Sequence, residues 1–187
     1  MNLILFGPPG AGKGTQSRYL VKKLNGFQIS TGDMLREEIQ NNTKIGKKII
    51  NDMDDGKFVS DEIVNELIEK VIFDPNNKNR LIFDGYPRSL NQAKNLEILL
   101  KNSNQKIDFI FFLNVNKDTI IKRIEKRKAL EKRSDDDFGT ILKRYDTYME
   151  TTKPVLDFYS KNSNFCEIDG TLEITEITAK IDAFINV

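Results

Sequence analysis

The 187-residue sequence predicts one α/β domain, a parallel sheet covered by helices on both faces. Short runs rich in Ile, Leu and Phe recur between longer helical stretches. Several of those runs are apolar on both faces, as strands sandwiched between two helix layers must be. A glycine-rich turn, Gly7-Pro8-Pro9-Gly10-Ala11-Gly12, joins the first run to the first helical stretch.

In chain order, strands are expected at 3–6, 27–30, 80–84, 107–115 and 165–168, where the apolar runs are short. Helices are expected at 13–24, 31–41, 44–54, 60–73, 89–101, 117–128, 136–161 and 173–185, where apolar residues recur at helical spacing. The helix at 60–73 opens on Ser60-Asp61-Glu62, a hydroxyl suited to cap a backbone N–H and two acids facing the positive end of the helix dipole. Pro154 falls inside the helix expected at 136–161 and should kink it. Two stretches break the alternation. Residues 31–59 hold two helical segments where one is needed, and no strand, so they read as an insertion outside the sheet. Residues 126–137 carry Arg127, Lys128, Lys132 and Arg133 followed by Asp135-Asp136-Asp137, and read as a solvent-exposed loop.

Composition excludes several functions. The 29 basic and 28 acidic residues leave a net charge of +1, so no global field draws the chain to nucleic acid or a membrane, and any anion must be held by a local cluster. Histidine is absent, which removes imidazole bases, Ser-His-Asp and Cys-His nucleophiles and His-ligated metals. The single Cys166 can make neither an internal disulfide nor a four-cysteine zinc site, and suits a reducing cytoplasm. The longest apolar stretch, 107–115, is interrupted by Asp108 and is too short to span a bilayer. The run Leu3 to Phe6 has no basic region before it and stops at Gly7-Pro8-Pro9, so it does not read as a signal peptide.

The most specific signal runs from Gly7 to Thr15, directly between a strand and a helix. Glycines let the backbone of Gly10, Ala11 and Gly12 turn its N–H groups around phosphate oxygens. The helix start adds partial positive charge, and Lys13 supplies a point charge. Gly14 stands where such loops carry a magnesium-binding hydroxyl, which here has moved to Thr15, so a magnesium ion would be held mainly by phosphates and water.

This variant loop resembles that of the nucleoside monophosphate kinases. Three further motifs follow in order: Ser30-Thr31-Gly32-Asp33-Met34-Leu35-Arg36, Gly56-Lys57-Phe58-Val59, and Phe83-Asp84-Gly85-Tyr86-Pro87-Arg88 with Gln92 beyond. Together they resemble the adenylate kinases, from Met1 to the final helix. The resemblance implies a phosphate-loop NTPase-type sheet of five parallel strands, with a core of residues 1–29, 60–125 and 138–187, an AMP-binding insertion at 30–59 and a lid at 126–137. The lid is of the short kind: Arg127 and Arg133 are separated only by Lys128-Ala129-Leu130-Glu131-Lys132, with no room for a zinc-bearing lid domain and no cysteine for its metal. The implied activity is reversible transfer of the terminal phosphoryl group from magnesium-ATP to AMP, giving two ADP, by a cytoplasmic monomer without nucleic-acid or membrane partners.

Carried residue by residue, the resemblance assigns catalysis to Lys13, Arg88, Arg123, Arg133 and Arg144. ATP falls to residues 10–15 with Arg123, Arg127 and Gly170. AMP falls to Thr31, Arg36, Lys57, Phe58, Val59, Gly85, Tyr86, Arg88, Gln92, Arg133 and Arg144. Asp84, closing a strand, would hold the magnesium's water shell, with Asp33 a weaker candidate for metal or helix cap. The chemistry agrees. Two anionic nucleotides meeting end to end need converging cations, and arginine's fork suits phosphate oxygens. A phosphate monoester is mostly dianionic at neutral pH, so no side-chain base is required. A glutamine amide matches adenine's adjacent donor and acceptor, which places Gln92 at the acceptor base. By the same resemblance, Leu172 stands where relatives often carry lysine, so a side-chain contact to the donor base is not expected at that point. A uridylate or cytidylate kinase, a hydrolysing switch and a non-catalytic nucleotide binder are the alternatives. The guanine-reading pattern of GTPases fails on spacing, since Asp118 directly follows Lys117.

Overall fold

The computed structural model describes residues 1–55, 57–131 and 138–185, the side chains of 127–131 and 138 excepted. Strands β1 (Leu3–Phe6), β2 (Phe27–Ser30), β3 (Leu81–Asp84), β4 (Phe109–Asn114) and β5 (Phe165–Asp169) form one sheet in the order β2-β3-β1-β4-β5, every pairing parallel. The helices are α1 (Lys13–Leu24), α2 (Thr31–Gln40), α3 (Lys44–Asp54), α4 (Asp61–Ile72), α5 (Leu90–Asn102), α6 (Lys117–Glu131), α7 (Phe138–Thr151), α8 (Lys153–Tyr159) and α9 (Ile174–Ile185). A 3-10 turn at Pro75–Asn77 leads into β3.

Period-2 alternation splits the strands between two cores. Leu3, Leu5, Ile82, Phe111 and Leu113 pack with Leu20, Ile120, Ile124, Ile177 and Ile181, which belong to α1, α6 and α9. Ile4, Phe6, Phe83 and Ile110 pack with Val64, Ile68, Leu96, Val155 and Tyr159, which belong to α4, α5 and α8. Burial on both faces explains why the strand sequences read as continuous apolar runs.

Four details differ from the sequence expectation. The first is at β4, which is shorter: Asp108 bonds Asn2 through both backbone and side chain (2.8 Å each) before the strand begins. Ser60 precedes α4 but makes no side-chain cap bond. The expected 136–161 helix is two helices: Pro154 has no N–H to donate, and the chain restarts with Val155 and Leu156 both donating to the Thr152 carbonyl (3.0 and 3.2 Å). Finally, α6 continues through Glu131, so 126–131 is helix and not loop. Nothing in Lys126-Arg127-Lys128-Ala129-Leu130-Glu131 opposes helix, and such residues favour it. The remainder of the expected lid, 132–137 with Arg133, lies outside the described residues.

The insertion expected outside the sheet is a helical hairpin. Ser30 caps α2 by accepting from the Asp33 N–H (3.3 Å), and Thr43 caps α3 by accepting from Gly46 N–H (2.9 Å). The two helices touch at Gly46, where a Cβ would lie 2.1 Å from the Glu38 carbonyl oxygen. Gly46→Ala should therefore cost about 1–3 kcal/mol in urea unfolding, although alanine is the better helix former. Gly14→Ala, whose Cβ would meet nothing closer than Asp84 Oδ2 at 3.6 Å, should cost no stability. Equal losses at the two positions would refute the close approach.

Candidate active site

The parallel register brings β1 and β3 to a common edge, with Leu5 opposite Asp84. The loop after β1 and the loop after β3 therefore emerge side by side, at the carboxyl ends of the strands where α/β sheets bind ligands. Gly12 takes φ 97° and starts α1 without a side-chain cap, so the helix's first-turn donors are presented to the loop's concave side. Lys13 folds over that concavity, its Nζ donating to the carbonyls of Gly7 (2.7 Å) and Pro8 (3.0 Å).

Gly85 is flanked by the site's cations: a Cβ there would lie 3.3 Å from Arg88 Nη2 and 3.7 Å from Lys13 Cε. Its carbonyl accepts from Arg88 Nε (2.7 Å) and from the Thr31 hydroxyl (3.4 Å). Arg88 is held at three further points. Its backbone N–H donates to Gln92 Oε1 (2.7 Å), its carbonyl accepts from Thr152 Oγ1 (3.1 Å), and its guanidinium lies 4.9 Å from the centroid of Phe58. The Tyr86–Pro87 bond between these anchors is cis.

Two small cavities meet at this arginine. One, about 50 Å³, is bordered by Gly7, Pro9, Lys13 and Gly85; the other, about 40 Å³, by Gly32, Leu35, Arg36, Lys57 and Val59. Phe58, Arg88 and Arg144 border both. A phosphate loop and a helical insertion thus share one cationic wall. A larger cavity of about 350 Å³, between α7, α8, β4 and β5, has no arginine in its wall among the described residues.

The family model described as adenylate kinase matches residues 5–164. The chain belongs to the adenylate kinase family. An adenylate kinase of Pelagibacter ubique (strain HTCC1062) is 49% identical with the whole of both chains covered. One of Caulobacter sp. (strain K31) is 41% identical over 100% of this chain and 99% of its own. One of Mycoplasma mycoides subsp. mycoides SC is 44% identical over 90% and 91%. The Pelagibacter alignment runs over 213 positions against 187 residues here, so that adenylate kinase carries insertions this chain lacks, whereas the Caulobacter alignment spans 187.

The other residues expected from the adenylate kinase resemblance fall as follows. Arg123 reaches from α6 across the phosphate loop, donating to the carbonyls of Ala11 (3.3 Å) and Leu172 (3.4 Å). Gly170 lies against β4, its N–H donating to Asn114 O (2.9 Å), and a Cβ there would meet Val115 Cγ2 at 2.4 Å. Arg36 pairs with Asp33 one turn away, in the first turn of α2, where Ser30 is the cap. Lys57 is exposed beside Asp55 (2.9 Å), and Val59 is buried. Tyr86 is fully buried, its hydroxyl donating to Asn65 Oδ1 (3.1 Å). Gln92 is 3% exposed, with both amide atoms engaged. Arg133 and the side chain of Arg127 lie outside the described residues.

Sequence reasoning missed four contributors. Gln28 donates to Asp84 Oδ2 (3.0 Å), Thr152 anchors the Arg88 carbonyl, and Asp61 gathers three donors at the start of α5. Tyr148, one turn beyond Arg144, also borders the first cavity, and its buried hydroxyl has no hydrogen-bond partner among the described residues. These contacts are separated by tens of residues, and no spacing rule signals them.

Burial pushes the Asp84 carboxyl above the ordinary aspartate value, while the charge on Lys13, the Gln28 hydrogen bond and Arg88 pull it back. The ionised carboxylate is thus less favourable folded than unfolded. Asp84→Asn should raise the melting temperature of the unliganded protein at neutral pH. That gain should shrink as pH falls through the raised folded value and vanish below 3.8, the ordinary value. Thermal scans from about pH 7 to about pH 4 test it, and a melting temperature lowered by the substitution at neutral pH would overturn the sign.

Proposed function

We propose that the paired cavities bind two nucleotides end to end, ATP on the phosphate loop and AMP under the helical hairpin, and that the wall between them drives transfer of the terminal phosphoryl group. The products are two molecules of ADP. The observation that carries this reading is that Phe58, Arg88 and Arg144 border both cavities. A cation between the sites can follow charge as it moves from donor to acceptor, which stabilises the transition state more than either ground state.

The acceptor phosphate reaches neutral pH mostly dianionic, so an oxygen nucleophile is supplied by the substrate and a chain without histidine loses nothing. Lys13 and the helix start hold the donor phosphates. Arg36 and Arg88 receive the acceptor phosphate, and Arg144 joins Arg88 at the junction. Arg123 steadies the donor side, with Gly170 leaving room there. Thr31, Val59 and Gln92 surround the acceptor base, while Lys57, Gly85 and Tyr86 support its binding. Arg127 and Arg133 are assigned to the lid on sequence grounds, as is its extent of 126–137, and the hairpin serves as the acceptor-side cover at 30–59. Both covers exclude water, whose attack would waste ATP.

Asp84 is buried beside Gly14, and among the described residues no cluster of three metal-ligating side chains occurs. One carboxylate at the phosphate loop fits magnesium brought in by ATP and held through water, and does not form a protein cage. Bound there, the ion would neutralise phosphate charge. We read the protein as a cytoplasmic monomer acting on small molecules. In support, Cys166 is a free thiol, and no helix among the described residues is long and apolar enough to cross a membrane.

A coupled assay with AMP, UMP and CMP as acceptors tests the reading directly. Rapid ADP formation with AMP, abolished by EDTA, is expected, and ATP hydrolysis independent of any acceptor would refute it. Lys13→Ala should retain the fold but lose about 3–4 kcal/mol of transition-state stabilisation, a drop in kcat of roughly 10²–10³. Arg88→Met should lower kcat more than it raises KM for ATP. A change confined to KM for AMP would instead assign Arg88 to uniform binding.

A further inference from the structure

Asp61 sits at the first position of α4, directly after the segment carrying Lys57, Phe58 and Val59, and α5 begins against it. Asp61 Oδ2 accepts from Ser89 Oγ (2.7 Å) and Asn91 Nδ2 (3.2 Å), and Oδ1 accepts from Gln92 Nε2 (2.6 Å). Ser89 in turn caps α5 by accepting from the Gln92 backbone N–H (3.1 Å). On its other side the Gln92 amide faces the backbone N–H of Arg88, which donates to Oε1 at 2.7 Å.

These two neighbours leave the amide one orientation. A backbone N–H can only donate, so the atom facing Arg88 must be oxygen. A carboxylate can only accept, so the atom facing Asp61 must be the NH₂ group. Turning the amide over would set donor against donor at Arg88 and acceptor against acceptor at Asp61 in a nearly buried place, where mismatched polar groups are costly. What remains for a ligand is one oxygen lone pair and one N–H, in a fixed order.

We propose that Asp61 is a specificity-determining positioning residue: by locking the Gln92 amide, it makes the acceptor site select 6-aminopurine over 6-oxopurine monophosphates. The inference rests on the reading of Gln92 as the acceptor-base contact. Adenine presents its 6-amino donor beside the ring-nitrogen acceptor N1, which matches a fixed oxygen and N–H. A 6-oxopurine presents the reverse, an acceptor beside the N1–H donor, and would need the inverted amide. Discrimination of this kind comes from the polar groups left mismatched by the wrong base. Asp61 does not touch the base. Its contribution is to forbid the other face of Gln92.

The test compares AMP with inosine monophosphate, its 6-oxo counterpart, in wild type, Asp61→Asn and Gln92→Ala, with ATP as donor. An asparagine at 61 can turn either its oxygen or its NH₂ group toward Gln92, so Asp61's half of the lock is released at near-constant volume while the Arg88 N–H stays in place. The ratio of kcat/KM for AMP over inosine monophosphate is expected to fall about tenfold in Asp61→Asn, with KM for ATP unchanged and the melting temperature largely kept. A structural role alone would lower both acceptors together and leave the ratio intact, which would overturn the proposal. If Gln92→Ala also leaves the ratio intact, the failure belongs to the assignment of Gln92. If Gln92→Ala loses the discrimination and Asp61→Asn keeps it, the failure belongs to the lock. Should Asp61→Asn not fold, side-chain amide exchange in the wild-type protein decides. One Gln92 Nε2 hydrogen protected and the other exchanging supports the lock, and two equally exchanging hydrogens overturn it.

Discussion

The alignment of β1 with β3 is the constraint from which the rest of the site follows. Leu5 stands opposite Asp84, and the Gly85 N–H donates back to the Leu5 carbonyl (3.4 Å), so the two strands end within one residue of each other. A phosphate loop leaves one strand there, and an acidic residue followed by an arginine-bearing turn leaves the other. A parallel sheet places all its carboxyl ends on one side, and the strand order puts the crevice where connections depart in opposite directions. A slip of β3 by one residue would carry Asp84 to the other face and separate it from Gly14.

The cations at this crevice share a way of being held. Lys13 donates to the carbonyls of Gly7 and Pro8, Arg88 Nε to Gly85, and Arg123 to Ala11 and Leu172. Backbone carbonyls are fixed dipoles that orient a cation. Long side chains restrained in this way lose less freedom when an anion arrives, and less binding energy is consumed in ordering them. Arg36 is held differently, against Asp33 at the exposed start of the hairpin.

Stability is given up where the chemistry is placed. Burial raises the Asp84 carboxyl above its ordinary value, so its ionised form is disfavoured there, and the Tyr148 hydroxyl is buried without a hydrogen-bond partner among the described residues. Each costs folding free energy that an aliphatic core residue would not. The two apolar cores absorb this: Ile4, Leu5, Leu20, Phe83, Leu96 and Ile181 are completely buried. Such concessions concentrated at one edge of a well-packed sheet are expected when function and stability make competing demands.

The local signals were legible from sequence because they depend on neighbours in the chain. The apolar strand runs, the glycine-rich turn before Lys13 and the helix at Lys44–Asp54 are set by periodicity and backbone preference, and the structure has each at the expected place. The kink expected at Pro154 is a full break at Thr152, and α6 extends to Glu131, because how far a proline interrupts a helix and how long a charged helix runs depend on what they pack against. The phosphate loop, Asp84 and Arg88 could be named because their motifs are short and contiguous. Asp61 at the start of one helix gave only a dipole argument, and Thr152 gave no signal. Their roles arise from bonds to Gln92, 31 residues onward, and to Arg88, 64 residues back. The sequence determined which segments become strands and helices and which loop meets phosphate. Only the tertiary structure decided which carboxylate orients the Gln92 amide and which hydroxyl anchors Arg88, because hydrogen bonds are chosen by distance in space, and distance in space is a property of the packed sheet.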